Sequence, residues 1–348
     1  MARIPEDEQR DLLAKAPKKF LLEKFSDSEN VAISLEEIDS FGNDEDQQEM
    51  SDDIDNYGKM LKERITFIND SLTTVIPFTR ENLYLICAYS GNGKSTVAAN
   101  ISYPLWQQGK KILIVSNEES KHDVLFRISC LHQGLHFNDY KKGRMDETTI
   151  QQVKALFPVI SEFVKVKDVQ FRNGFTTKIE GVKACLEAVK DADYSCVLID
   201  YYQLIKYSMS TTVSNASDYK ILDDLRIWLG LYIKRANLPV VIFAQLHSIG
   251  KRANKDLDSR IKDCPTIYEP ATVVLEIIPC FNDLTSNFII HKDRFGMAGT
   301  QIECGYEKGK FIDGAAFEKA KLDRLLGKTN QEEVIPVEVI DNEQQPDN

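Results

Sequence analysis

One junction constrains this chain more than any other: the apolar run Leu83–Cys87 passes through Ala88-Tyr89-Ser90-Gly91-Asn92-Gly93-Lys94-Ser95 into Thr96-Val97-Ala98-Ala99-Asn100. A strand, a glycine-bearing loop ending in Gly-Lys-Ser and a helix make a P-loop in the setting that phosphate binding requires. Backbone N–H groups must curl round a polyanion, glycine must stand where a side chain would block the approach, and a helix N-terminus must point at the charge. Gly91 and Gly93 supply the room, Lys94 reaches for β- and γ-phosphates, and the Ser95 hydroxyl is suited to Mg²⁺. The candidate nucleotide-binding residues are therefore Ala88, Ser90, Gly91, Asn92, Gly93, Lys94, Ser95 and Thr96, with ATP and Mg²⁺ as the expected ligands. Ala88 departs from the pattern, which usually has glycine there.

Strand-like runs recur at Ile112–Val115, Phe163–Val166, Val197–Ile199, Val240–Phe243, Val273–Ile278 and Phe288–His291, separated mostly by helical stretches. Such alternation predicts an α/β fold, a P-loop core with a mainly parallel central sheet flanked by helices. Apolar positions at Met60, Leu61, Ile65 and Ile68 predict a helix within residues 56–69 that leads into the domain. With 348 residues, 43% of them hydrophobic, one large domain with extensions is expected. No apolar run approaches the roughly 18 residues a membrane span needs, so no membrane partner is expected. The start, MARIPEDEQR, carries acid where a secretory signal needs a basic flank, which predicts a cytoplasmic protein, in the host cytoplasm if the source is viral. Seven cysteines without a CxxC pair argue against a disulfide framework or a zinc knuckle.

The charge is distributed unevenly. Residues 1–60 hold 17 acids against 7 bases, and residues 329–348 hold six acids and no base. A mildly basic middle stays compatible with a polyanionic ligand, because binding responds to the local field. Three parts are expected: an acidic arm over 1–60, a motor domain over 61–327 and an acidic tail over 328–348. The arm reads either as a solvated extension or as an amphipathic helix over 9–25 that docks on another subunit.

Three further positions fit nucleotide hydrolysis. Cys196-Val197-Leu198-Ile199-Asp200 is an apolar strand ending in an acid, as a carboxylate supporting Mg²⁺ requires. Ile112–Val115 runs into Ser116-Asn117-Glu118-Glu119-Ser120 at the sheet edge where open α/β sheets bind ligands. Glu118 is a candidate for polarising the attacking water, and the alternative is that both glutamates open the next helix. Gln245, at the end of Val240–Phe243-Ala244, is a candidate γ-phosphate sensor or else a loop residue.

Taken in order, these segments resemble the C-terminal motor domain of the DnaB-like replicative helicases, especially the bacteriophage ring helicases, within the RecA-like ATPases. The likeness covers about residues 60–312. An Ala-initiated P-loop is common in that family, Ser116-Asn117-Glu118 through Arg127 resembles its catalytic-glutamate segment, and Gly143-Arg144-Met145-Asp146 resembles the short turn that follows. Ile199–Ile205 is close to the IDYLQL signature, and Pro239–His247 matches the strand bearing the phosphate-sensing glutamine. Ile290-His291-Lys292-Asp293-Arg294-Phe295-Gly296 resembles the segment that reaches into a neighbour's site, which implies Arg294 as an arginine finger acting in trans and Lys292 as its companion.

The resemblance also implies a homo-oligomeric, six-membered ring that hydrolyses ATP at subunit interfaces and translocates on single-stranded DNA, with a primase or helicase loader as a possible partner. Two loops would line the channel: the hydroxyl-rich Tyr207–Ser217, and Ser248–Lys262, where Lys251, Arg252 and Lys255 are the candidate DNA contacts beside Arg260 and Lys262. The bacterial helicases' helical N-terminal domain has no counterpart, and the acidic arm stands in its place. Competing readings are a RecA-type recombinase or ATP-gated filament protein, and a regulatory ATPase acting through protein partners, the latter on account of the paired Glu118-Glu119.

Overall fold

A computed structural model describes residues 65–76, 78–168, 177–190, 192–206, 218–236, 238–247, 256–280 and 284–325, all within the unit Met60–Asn348. The arm with its docking segment 9–25, the loop 207–217, Lys251, Arg252, Lys255 and the tail from 328 lie outside these described residues.

The chain opens with a short helix α1 (Asp70–Val75), strand β1 (Leu83–Ala88), helix α2 (Lys94–Gln107), β2 (Ile112–Ser116) and α3 (Lys121–Gln133). Helices α4 (Phe137–Lys141), α5 (Glu147–Ala155) and α6 (Phe157–Phe163) lead to β3 (Val164–Asp168). Next come β4 (Thr177–Lys178), α7 (Ile179–Val189), β5 (Cys196–Asp200), β6 (Ile205–Lys206), α8 (Asp218–Ile233) and β7 (Val240–Gln245). The short α9 (Leu257–Arg260) precedes β8 (Val273–Cys280), β9 (Thr285–Asp293), β10 (Gln301–Glu307), β11 (Lys310–Asp313) and α10 (Gly314–Leu325).

Nine strands form one sheet in the order β11-β10-β9-β8-β1-β7-β5-β2-β3. From β8 to β3 every pairing is parallel, and β1 stands between β7 and β8. Strands of this kind are covered on both faces, which is why β1, β2 and β5 read as unbroken apolar runs. Alternate residues of β1 serve the two faces. Tyr84, Ile86 and Ala88 pack with Val97 and Ile101 of α2 and Val124 and Ile128 of α3. Leu83, Leu85 and Cys87 pack with Val182 and Leu186 of α7 and Leu225 and Leu229 of α8. None of the helices among the described residues is long and apolar enough to cross a membrane.

Two expectations need correction. Residues 65–69 are not helical: Ile68 has φ 65°, and the helix starts only at Asp70, where the Asn69 side chain accepts from Leu72 N. Asn at an N-cap draws the backbone out of the helix, and it frees Phe67 to pack 5.1 Å from Phe78, which in turn lies 4.8 Å from Tyr84. The third strand starts one residue later than expected, since Phe163 closes α6.

Beyond β8 the sheet turns antiparallel through β9, β10 and β11. Strands β10 and β11 have no sequence signal of their own, because β10 buries only Cys304 and Gly305 fully. Gly305 shows what holds them: a Cβ there would lie 2.2 Å from the Phe317 ring of α10. Gly305→Ala should therefore force α10 off the sheet and cost about 1–3 kcal/mol, read as a lower urea midpoint. An unchanged midpoint would mean that Phe317 does not seat on β10.

Candidate active site

The registers Ala88 opposite Gln245 and Ser116 opposite Asp200 bring the carboxyl ends of β1, β7, β2 and β5 to one edge of the sheet. Ligands of open α/β sheets bind at that edge. Ala88 ends β1 in regular pairing, so its position has no need of a glycine's conformational range. The turn itself does need it: Gly91 has φ 76° and Gly93 φ 88°, where any L side chain is strained. Gly93 is also the N-cap of α2, and no side chain caps that terminus, so the first-turn N–H groups face outward to an anion. A Cβ on Gly91 would meet nothing within 4 Å, which marks an open cradle. Around it lies a cleft of about 440 Å³, lined by Ser90 to Thr96 together with Glu118, Arg127, Tyr201 and Gln245.

The charges in the cleft are costly by burial. Lys94 is 6% exposed, and burial lowers its pKa against the opposing pull of Asp200 and Glu118. Asp200 is 3% exposed; burial pushes its carboxyl up to about 6, the Ser95 hydroxyl bonded to it pulls it down, and Glu119 and Glu118 add to the rise. Its Oδ1 is buried without a hydrogen-bond partner. A half-satisfied carboxylate touching a hydroxyl fits a divalent cation shared with phosphate oxygens. No cluster of three His, Cys, Asp or Glu among the described residues could hold a metal unaided, so Ser95 and Asp200 would share it with the nucleotide.

The two adjacent glutamates have different surroundings. Glu119 is clamped by Arg127 through both carboxylate oxygens, and Arg127 Nη1 also lies 3.4 Å from Thr96 Oγ1. Glu118 is exposed and lines the cleft. Neither opens the helix, because Ser120 is the N-cap of α3 and accepts from Asp123 N at 3.1 Å. Asn117 carries no sequence signal of its own, yet it aims Glu118: its N–H donates to Asp200 O at 2.6 Å and its Nδ2 to Tyr201 O at 3.1 Å, tying the ends of β2 and β5 together.

Gln203 does the same for Gln245. Buried at 4% exposure, it donates through Nε2 to Gln245 O (3.1 Å) and Lys262 O (3.0 Å) and accepts from Gln245 N (3.1 Å). The Gln of the IDYYQL run was the available signal. Arg260, expected on a DNA-facing loop, instead turns inward, where the buried Glu276 takes both of its terminal nitrogens at 2.7 and 2.6 Å.

Lys292 and Arg294 are not brought to this cleft. Thr285 and Ser286, at the start of β9, line it, but β9 runs antiparallel to β8 and ends with Asp293 opposite Val273. Arg294 N donates to Thr272 O (3.1 Å), and Thr272 N to Leu83 O (2.8 Å), so Arg294 sits by the first residue of β1. The P-loop leaves from the last, ~20 Å away along the strand. Arg294 is exposed, whereas the Lys292 ammonium donates to Tyr268 O (3.0 Å) and Glu269 O (2.8 Å), and burial, then Arg294, lowers its pKa.

The family model of the DnaB-like helicase C terminal domain matches residues 68–311. The chain belongs to that family. A DnaB-like replicative helicase that hydrolyses ATP is accordingly what this cleft serves. Two solved structures share the fold. The ATPase domain of a phage helicase superposes with TM-score 0.62 at 16% identity over 76% of this chain and 98% of that one. A DnaB-like replicative helicase, described together with its interactions with primase, superposes with TM-score 0.60 at 16% identity over 75% of this chain and 65% of that one. No curated protein matches the DnaB-like chain in sequence.

Asp200 offers a test by pH. Its folded-state pKa of about 6 lies above the ordinary value of 3.8, so the carboxyl favours the folded state below about pH 4 and loses that contribution as pH rises through 6. Asp200→Asn should then raise nucleotide-free stability at pH 8 by on the order of 1–3 kcal/mol, with the gain vanishing near pH 4. A variant equally or less stable than wild type at pH 8 would show that the carboxylate is not penalised by burial.

Proposed function

We propose that this helicase works as a ring of identical subunits, six in the expected case, each of which hydrolyses ATP in its own cleft with an arginine from its neighbour. The single observation that supports this reading is the separation of Arg294 from the P-loop of the same chain, at opposite edges of the sheet. The arginine that does line the cleft, Arg127, is engaged by Glu119. Phosphoryl transfer is catalysed mainly by positive charge placed on the γ-phosphate, so a cleft with Lys94 alone is incomplete. Arg294, exposed at the far edge, has the reach to complete a neighbour's cleft and none to its own.

Within one cleft the roles follow from position. The P-loop N–H groups and Lys94 hold the β- and γ-phosphates. Mg²⁺, held by Ser95 and Asp200, neutralises charge developing on the phosphates. Glu118, exposed to the cleft while Arg127 is taken up by Glu119, orients and polarises the attacking water. Gln245 registers the γ-phosphate at the end of β7, immediately before the segment carrying Lys251, Arg252 and Lys255, the residues we assign to single-stranded DNA. Residues 61–327 form the motor, with the arm 1–60 and tail 328–348 as extensions through which a primase or loader would be met.

Glu118→Gln should keep nucleotide binding and stop hydrolysis, while Glu119→Gln should retain most turnover, since its carboxylate only holds Arg127. The reverse pattern in a steady-state assay would exchange their roles. For the ring, Lys94→Ala and Arg294→Ala should each be inactive, the latter by on the order of 10³ to 10⁵ in turnover. Mixed, they should regain activity, because some interfaces then pair an intact P-loop with an intact Arg294. Absence of rescue, in a protein that sediments as a monomer with nucleotide and DNA, would refute the ring.

A further inference from the structure

Behind the cleft lies a second buried charge cluster that the hydrolytic machinery does not use. Glu276, 2% exposed, sits on β8 opposite Cys87, two residues before Tyr89 begins the exit from β1. Arg260 grips it with both terminal nitrogens, and the same Nη1 lies 3.2 Å from the Tyr89 hydroxyl. His291 Nε2 lies 2.9 Å from Glu276 Oε2. A β-bulge in the β8–β9 pairing, where Val274 faces Lys292 and Leu275 faces Ile290, leaves His291 without a partner across the ladder and aims its ring at Glu276. Burial acts to raise the Glu276 carboxyl, and the bonds from His291 and Arg260 outweigh it, so that it stays below the usual carboxylate range.

Each partner belongs to a different moving part of the proposed motor. Tyr89 adjoins Ser90 of the P-loop. Arg260 ends α9, on the return leg from the segment after β7; its carbonyl accepts from His247 N (2.8 Å), and Lys262 N donates to Gln245 O (2.9 Å). His291 is next to Lys292 and three residues from Arg294. A buried ion pair is weak grounds for stability, because desolvating both charges offsets their attraction, and its best-attested use is to specify register or a switch. Arg260 even leaves its Nε buried without a partner, which a purely stabilising contact would avoid.

Resting on the ring-motor reading above, we propose that Glu276, with Arg260 and His291, is a positioning cluster that couples single-stranded DNA on the segment after β7 to hydrolysis at the P-loop. DNA bound to that segment shifts Arg260; Arg260 carries Tyr89 through its hydroxyl and Glu276 through its carboxylate; and Glu276 carries the finger strand through His291. The cluster touches neither nucleotide nor DNA.

The test compares turnover with and without an oligothymidylate in the full chain and in a double variant, Arg260→Met with Glu276→Leu. Replacing both charges by apolar groups removes the coupling without leaving an uncompensated buried charge, so the fold should persist with a thermal midpoint at or above wild type. DNA-free kcat and KM for ATP should stay within about twofold, and oligothymidylate affinity by anisotropy likewise, whereas stimulation of kcat should fall by about five- to 150-fold, the usual span of a coupling between sites. Should the double variant not fold, Arg260→Lys carries the test: it keeps the charge, loses the two-nitrogen grip, and should lose part of the stimulation. Full stimulation in either folded variant overturns the proposal, and so does a parallel loss of DNA-free turnover, which would make the cluster a structural support. Wild-type turnover indifferent to the oligothymidylate would instead bring down the ring-motor reading on which the proposal rests.

Discussion

Parallel pairing of β1 with β7 on one side and β8 on the other is the constraint on which the rest of the molecule depends. Six residues buried on both faces leave β1 no freedom of register, because a slip by one residue would exchange Tyr84, Ile86 and Ala88 with Leu83, Leu85 and Cys87 between two differently built cores. Fixing β1 fixes where the P-loop begins. Pairing it in parallel with β7, and β2 with β5, sends the ends of all four strands to one edge, so a lysine, two carboxylates and a glutamine from distant parts of the chain converge. The helix dipole of α2, aimed by the same turn, supplies the positive end.

That convergence concentrates charge where water is scarce. Lys94 and Asp200 are each buried, each shifted toward neutrality by desolvation, and each partly restored by the other. Such a pair is poor as a source of stability and good as an unfilled site, since nucleotide phosphates and a cation would satisfy both at once. Asn117 and Gln203 provide the rigidity the arrangement requires. They act on backbone groups, clipping the exits of β2 and β7, so the reactive side chains are positioned without being consumed as hydrogen-bond partners.

The antiparallel wing gives the sheet a second, directional role. Because β9 runs back along β8, one strand touches the cleft at Thr285 and carries Arg294 to the opposite edge. A chain that offers a cleft on one edge and a cation on the other is suited to head-to-tail association, which closes as a ring if the rotation between neighbours allows. Glu276 lies between these edges, bonded to β9 and to the return from β7 together.

The amino-acid sequence determined the parts whose chemistry is local. Continuous apolar strands, the Gly-Lys-Ser turn and the acid ending Cys196–Asp200 are each written in adjacent residues, because burial on both faces and phosphate binding impose composition directly. Glu118 was legible as a candidate, but separating it from Glu119 took the fold: identical neighbours differ only in that Arg127, a turn and a half along α3, comes round to clamp the second. The helix expected over 56–69 failed in its described part because one Asn at the cap outweighs an apolar spacing. Strands β10 and β11, half exposed and poorly patterned, were invisible until Phe317 was seen seated over Gly305. Arg260 read as a cation for DNA because its sequence neighbours are basic, and only tertiary packing against Glu276, sixteen residues on, decided that it faces inward. Long-range pairing of charges carries no sequence period, whereas strands, turns and caps do, and the boundary between what was readable and what was not follows that difference.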